Sequence, residues 1–320
     1  MQTFTCPTCN QRIWFHNTIC QCGQRVVFDP DAQHMHVHGA SCRNRSKIGC
    51  NWQAETDGLC RSCAMTEMVP DLGAPENVEL WGWTEQAKRW ILANLARWGW
   101  FTPDDPGARP VFRLLSEKTA KGETDVIMGH ANGLITINVS EASEATLAKR
   151  QEELGELYRT MIGHMRHETA HFLHLRLMQR PDFPAAFRGL FGDERADYGD
   201  ALKRHYADPQ PAGSHYITSY ATSHPHEDWA ETTAHLLHLV DMLDSAAQAG
   251  LTLPGSVPEG YDAYREEDAE RVVREAIDVS LAINHVNRAL DLADLYPFVI
   301  GPGVQDKLGF VHRWLRMPPL

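Results

Sequence analysis

No apolar run in this chain of 320 residues approaches the ~20 residues that a helix needs to cross a bilayer, which argues against a membrane-spanning protein. The opening MQTFTCPTCN lacks a basic and apolar leader, so no secretory signal is expected and the reading is of a soluble, cytoplasmic protein. Basic charge is scarce: 30 Lys and Arg face 42 Asp and Glu, a net charge of −12, which speaks against anionic partners. Cysteine is missing after residue 63, and no internal repeat or low-complexity segment is present. What remains, with 43% hydrophobic residues, suffices for one large core and a small metal-stapled module.

Proline is also missing from residues 144 to 179, where a long helix is expected. Ser143 is the candidate N-cap and Pro181 follows the last helical position. Leu154, Leu157, Tyr158, Met161, Ile162, Met165 and Phe172 recur at intervals of three and four, a core-facing stripe, with Gly155 and Gly163 as weak points. The segment contains HETAH, His167 to His171. Positions four apart share a helical face, so His167 and His171 can reach one metal ion while Glu168, beside them, can hold a metal-bound water. That spacing is the one expected of a zinc hydrolase. His164 and His174 fall in the same sector, a face roughly 80° wide, and read as supporting or core histidines, because one helix cannot easily surround a metal tetrahedrally.

A third ligand should come from another element, and the segment Ser219 to His238 is the candidate. Pro225 suits a first helical turn, and Glu227 and Glu231 then lie one turn apart near the positive end of the helix dipole. Either can complete a His, His, Glu site with the fourth position open to water.

HETAH, then Tyr220, then the run from Glu227 to Glu231 resembles the gluzincin peptidases of the anthrax lethal factor type. In that type a tyrosine lies seven residues ahead of the metal-binding glutamate, and a second glutamate follows one turn later. The resemblance implies that His167, His171 and Glu227 bind zinc, that Glu168 is the general base, that Tyr220 stabilises the oxyanion and that Glu231 supports a ligand. The chemistry agrees: zinc lowers the pKa of its water, a neighbouring carboxylate takes the proton, and a phenol can donate to the developing oxyanion. The runs FHNTICQCG, GCNW, MGHANGLITIN, YRTMIGHMRHETAHF, FGDERADYGDALKRHY, SHPHEDWAETTAHLLH and DLYPFV together are similar to a bacterial family of zinc-binding metallopeptidases with N-terminal zinc ribbons, over nearly the whole chain. Within FGDER, Asp193, Glu194 and Arg195 either buttress the site or form a buried ion pair.

The eight cysteines fall in two groups of four. Without disulfides these read as two structural zinc sites of four thiolates each. Cys6 and Cys9 form a knuckle, CPTC, but Cys20 and Cys22 are separated by one residue where a ribbon usually has two. Cys42, Cys50, Cys60 and Cys63 make the second set with wider loops. His34, His36 and His38 alternate as on a strand and read as a strand face rather than as substitutes for a thiolate. Residues 1–70 carry six basic against five acidic side chains, +1, and two four-thiolate zinc sites add about −4, so no nucleic-acid platform is expected. A protein partner, or stapling of the catalytic domain, is the expected role of the module.

A linker is expected at Val69 to Pro75, dividing a zinc-ribbon module, 1–70, from a metallopeptidase domain, 71–320. Glu79 to Trp100 reads as a helix whose five indoles serve the core, residues 111–116 and 134–139 read as strands, and Tyr264 to Ala293 reads as helix packed behind the site. Leu134 to Val139 is the candidate for an exposed sheet edge that holds an extended substrate, with a buried strand as its alternative. The fold expected is α+β: a mostly helical, zincin-like metallopeptidase domain with a small N-terminal zinc-ribbon module. The function expected is zinc-dependent hydrolysis of peptide bonds in a protein or peptide, with one catalytic and up to two structural zinc ions. Its alternatives are a non-catalytic zinc-binding regulatory or interaction module and a DNA-dependent protease, the latter disfavoured by the acidic balance.

Overall fold

A computed structural model describes residues 3–147, 150, 160–253, 255, 257–296 and 298–319. The chain is α+β and falls into two compact units, residues 1–165 and 166–318.

The first unit begins with two small antiparallel hairpins, Phe4–Thr5 with Arg12–Ile13 and Val27–Asp29 with His34–His36. Phe4, Phe15 and Trp52 each bring a ring to 4.9–5.8 Å of that of Phe28, and the four form the core of this small region. His34 and His36 lie on a strand as their alternation predicts, whereas His38 lies in a bend past its end, and none of the three histidines joins a metal-type cluster among the described residues. Two four-residue helices, Arg45–Ile48 and Arg61–Ala64, pack on the long helix Asn77–Ala96. That helix stops four residues short of Trp100, and Gly99 and Phe101 then adopt left-handed backbone that an α-helix cannot continue. Of its expected core indoles, Trp81, Trp98 and Trp100 are buried and Trp83 is exposed.

A four-stranded sheet follows, in the order Thr66–Met68, Val111–Leu115, Leu134–Asn138, Gly129–Ala131. Leu134–Asn138 therefore does not form the exposed edge: it pairs in parallel with Val111–Leu115 and antiparallel with Gly129–Ala131, and Ile135 and Ile137 are fully buried. Its alternation marks two sheet faces and says nothing of lateral neighbours, so the buried-strand alternative is the observed one.

The expected long helix is also corrected. Leu147 donates to the Ser143 carbonyl at 2.9 Å, so a helical turn does begin after Ser143. Leu154, Gly155, Leu157 and Tyr158 lie outside the described residues. Thr160 is not helical, and the helix carrying HETAH is Met161–Leu177. Thr160 is its N-cap: Gly163 N–H donates to Thr160 Oγ1 at 3.0 Å and His164 N–H to the Thr160 carbonyl at 2.9 Å. Such a cap is worth about 1 kcal/mol.

The second unit, which includes HETAH, is helical. Phe183–Phe191, Tyr198–Ala207, Pro225–Gln248, Ala269–Ala289 and Pro302–Leu315 follow in order. Pro225–Gln248 is the central element, touching Phe183–Phe191, Ala269–Ala289 and Pro302–Leu315. Pro225 occupies its first turn, and His224 caps it by accepting the His226 N–H on Nδ1 at 3.1 Å. The expected C-terminal helix, observed as Ala269–Ala289, packs on this central helix after an Asp268 cap. Among the described residues, no helix is long and apolar enough to cross a membrane.

Candidate metal centre

Two helices carry the chemistry of the second unit, and their local sequence sets the register between them. Trp229, fully buried, donates its indole N–H to the Ala170 carbonyl at 2.8 Å. Ala170 lies between His167 and His171, and Trp229 between Glu227 and Glu231. One hydrogen bond thus ties together the two turns that bear the candidate ligands. The same indole is enclosed by Phe183, Phe187 and Phe191 at ring separations of 5.5–6.0 Å, so its position is set by packing as well.

Around that tie, His167 Nε2 and His171 Nε2 are 3.2 Å apart, with Glu227 Oε2 3.1 Å from the first and Oε1 3.5 Å from the second. Four ligands arranged tetrahedrally at ~2.0–2.1 Å stand ~3.3 Å from one another, close to the separations of His167 Nε2 from His171 Nε2 and from Glu227 Oε2, and one ligand atom from each of the three residues lies within 4.8 Å of the others. Two imidazoles and one carboxylate also suit zinc chemically. Glu227 Oε2 and Glu168 Oε2 are buried without a hydrogen-bond partner, as expected of oxygens reserved for a metal and for water. Residues His167, His171 and Glu227 can therefore hold a metal ion.

Electrostatics point the same way. Burial disfavours a charged His167, yet the Glu227 and Glu231 carboxylates outweigh it and lift the pKa of the ring well above its ordinary value. Burial likewise opposes ionisation of Glu227, but His171 and His167 prevail and hold its carboxyl well below the usual range. A centre that calls this strongly for positive charge between carboxylates is suited to a cation.

Glu231 sits where support is needed. Its Oε1 is 2.8 Å from His167 Nδ1 and its Oε2 accepts from Thr218 Oγ1 at 2.7 Å. With Nδ1 bound in this way, His167 turns Nε2 toward His171 and Glu227. Thr218 Oγ1 also accepts from Ala221 N–H at 3.1 Å, fastening the short 3-10 turn Tyr220–Thr222. The Tyr220 ring lies 6.1 Å from that of His167. Burial, then the charges of Glu227 and neighbouring tyrosines, raise the Tyr220 pKa, so its phenol keeps its proton and can donate.

Other expectations divide. His174 is a core residue, its ring 4.6 Å from Phe187 and 5.7 Å from Trp229. His164 Nε2 lies 2.8 Å from Glu141 Oε2, in the first unit. Of the FGDER charges, Glu194 pairs with Arg188, Nε to Oε2 at 2.9 Å, while Asp193 and Arg195 pair at the surface at 2.7 Å. Spacing did not reveal Tyr198, whose hydroxyl donates to Glu227 Oε1 at 2.7 Å. It lies inside the run FGDERADYGDALKRHY, but no interval from HETAH marks it.

In the first unit the cysteines gather as the sequence groups them, all as free thiols. Cys9 and Cys20 stand 3.6 Å apart and Cys6 and Cys22 3.9 Å; in the second group Cys50 stands 3.6 Å from Cys60 and 3.8 Å from Cys63. Tetrahedral zinc thiolates at ~2.3 Å give ~3.8 Å between sulfurs, so both groups fit. Gly23, at φ 83°, supplies the left-handed turn that lets Cys22 join despite the missing residue of its pair. The second group is wholly buried, whereas Cys22 is exposed and Cys9 half-buried.

Comparison with known proteins agrees with this geometry. Residues 3–40 match a zinc-ribbon domain, and residues 77–314 match the family described as "Putative zinc-binding metallo-peptidase". An uncharacterized protein of Mycobacterium bovis is 36% identical over 327 residues, covering 98% of this chain and 94% of that protein. Uncharacterized proteins from two strains of Mycobacterium tuberculosis are similar to the same extent. No solved structure matches the chain. With most of its length inside the match, the chain belongs to that zinc-binding metallo-peptidase family and carries an N-terminal zinc-ribbon domain.

Proposed function

We propose that this protein is a zinc-dependent peptidase that hydrolyses peptide bonds with Glu168 as general base. The observation that carries this reading is the convergence of His167 and His171 with Glu227 from a second helix at mutual distances of 3.1–3.5 Å, beside a Glu168 that keeps a buried, unpartnered oxygen. A zinc ion held by His167, His171 and Glu227 would polarise the scissile carbonyl and bring the pKa of water toward neutrality. Glu168 accepts the proton of the attacking water and returns it to the leaving amine, one carboxylate serving as base and then acid. Tyr220 donates its hydroxyl to the oxyanion, an interaction worth a few kcal/mol in a dry site. Glu231 keeps His167 in the productive ring orientation.

The substrate on this reading is a peptide or protein. The two cysteine groups serve as structural zinc sites, Cys6, Cys9, Cys20 and Cys22 in one and Cys42, Cys50, Cys60 and Cys63 in the other, for three zinc ions per chain. Residues 1–70 form the zinc-stapled module, open to a protein partner, and 71–320 the peptidase domain. Thiols committed to metal suit a reducing compartment, hence the cytoplasm. The test is Glu168→Gln in a peptide-library cleavage assay. It should retain zinc and lose turnover; a fully active variant would overturn the mechanism.

A further inference from the structure

The peptidase reading leaves one phenol without a task. Tyr198 opens the helix Tyr198–Ala207, whose N-cap Asp197 accepts the Asp200 N–H at 2.8 Å. The residue is 43% exposed, yet its hydroxyl is turned inward and donates to Glu227 Oε1 at 2.7 Å. Its position is fixed from two sides. The ring stands edge-on to His224, 5.2 Å between centroids, and His224 Nε2 meets the Ala196 carbonyl at 3.1 Å. Because His224 also caps the helix that carries Glu227, the approach to Tyr198 and the start of that helix form one fastened corner.

The consequence falls on Glu227, whose two oxygens are not equivalent. Oε1 accepts from the Tyr198 hydroxyl at 2.7 Å and stands 3.5 Å from His171 Nε2. Oε2 has no hydrogen-bond donor and lies 3.1 Å from His167 Nε2, where a ligand atom belongs. A carboxylate can bind zinc through one oxygen or two, and the second mode fills a position that a hydrolase must keep open. A hydrogen bond from a neutral donor to a carboxylate is roughly twice as strong as one between neutral groups, enough to bias that choice.

We infer that Tyr198 is a positioning residue of the metal centre: its hydroxyl occupies Glu227 Oε1, so that Glu227 presents Oε2 as a single-oxygen ligand and the remaining position stays open. This rests on the metallopeptidase reading and extends it. Tyr198 and Tyr220 then divide the phenol chemistry, the first acting through a ligand and the second on the substrate.

The test uses the full-length, zinc-loaded protein. Chelator removes metal from the His, His, Glu centre while the thiolate sites keep theirs, and cobalt(II) added back reports coordination number by its visible bands. Tyr198→Phe removes only the hydroxyl. It should weaken the bands toward those of a higher coordination number and shift zinc affinity at this centre by roughly 10- to 100-fold. Replacement of Tyr198 by 4-aminophenylalanine keeps the reach and an N–H donor, and should restore the wild-type spectrum; a merely structural tyrosine predicts no such restoration. If Tyr198→Phe leaves spectrum and zinc affinity as in the wild type, the inference fails, while a Glu168→Gln variant that binds zinc without turnover would still uphold the peptidase. If the wild type takes up no metal at this centre, the peptidase reading itself fails.

Discussion

Trp229→Phe perturbs the tie between the two helices that carry the candidate ligands without touching any of them. The native indole is fully buried and donates to the Ala170 carbonyl at 2.8 Å. Loss of that bond costs about 1 kcal/mol, and removing part of a ring from a packed aromatic cluster costs about 1–2 kcal/mol more. The expected total is about 2–3 kcal/mol of stability, read by urea denaturation followed by far-ultraviolet circular dichroism. Metal binding should weaken with it, since Ala170 and Trp229 each lie between two residues of the centre. The paired measurement is zinc competition against a chromophoric chelator on the folded variant. A stability within about 0.5 kcal/mol of wild type, together with unchanged zinc affinity, would refute the idea that this hydrogen bond sets the register of the two helices.

Further outcomes are open to measurement. Zinc held by Cys6, Cys9, Cys20 and Cys22 should be lost to thiol-alkylating reagents before that of the second group, because Cys22 is exposed and all four of Cys42, Cys50, Cys60 and Cys63 are buried; mass spectrometry of alkylated peptides would show the reverse order if exposure does not control reactivity. His312 has its pKa pushed down from 6.5 to about 4, by burial and then by Arg316. The unfolded chain therefore binds the extra proton first, and the contribution of neutral His312, at most about 3 kcal/mol, is complete above pH 6.5 and lost as pH falls toward 4. His312→Gln should flatten the stability profile over that interval, and an unchanged slope would contradict the assignment. Lys307→Met, which strips the 2.6 Å partner from buried Asp228, should cost about 3–5 kcal/mol in urea denaturation, and a loss below 1 kcal/mol would show the pair to be dispensable.

The features legible in the sequence are those fixed over one or two helical turns. HETAH places two imidazoles on one face by backbone geometry alone, and Pro225 with Glu227 and Glu231 announces the start of the second helix. The cysteine groups are legible because nearly all the thiols of each group are close in the chain. Tyr198 was hidden because its contact with Glu227 spans 29 residues and depends on how two helices and a corner pack. The neighbours of Leu134–Asn138 were hidden for a related reason: Gly129–Ala131, which covers its flank, is three residues long and carries no alternation of its own. Thr160 is not legible as a helix start because the apolar period runs through it unbroken, while its hydroxyl, which accepts the Gly163 N–H, is a capping signal only where the chain enters the helix there.

The central claim is that His167, His171 and Glu227 jointly hold one metal ion apart from the thiolate sites, and zinc counting by plasma mass spectrometry tests it directly. The wild-type protein should carry three zinc ions per chain, and His171→Ala should carry two, with both thiolate sites still loaded and peptide cleavage gone. A His171→Ala protein that is folded and still holds as much zinc as the wild type would contradict the claim.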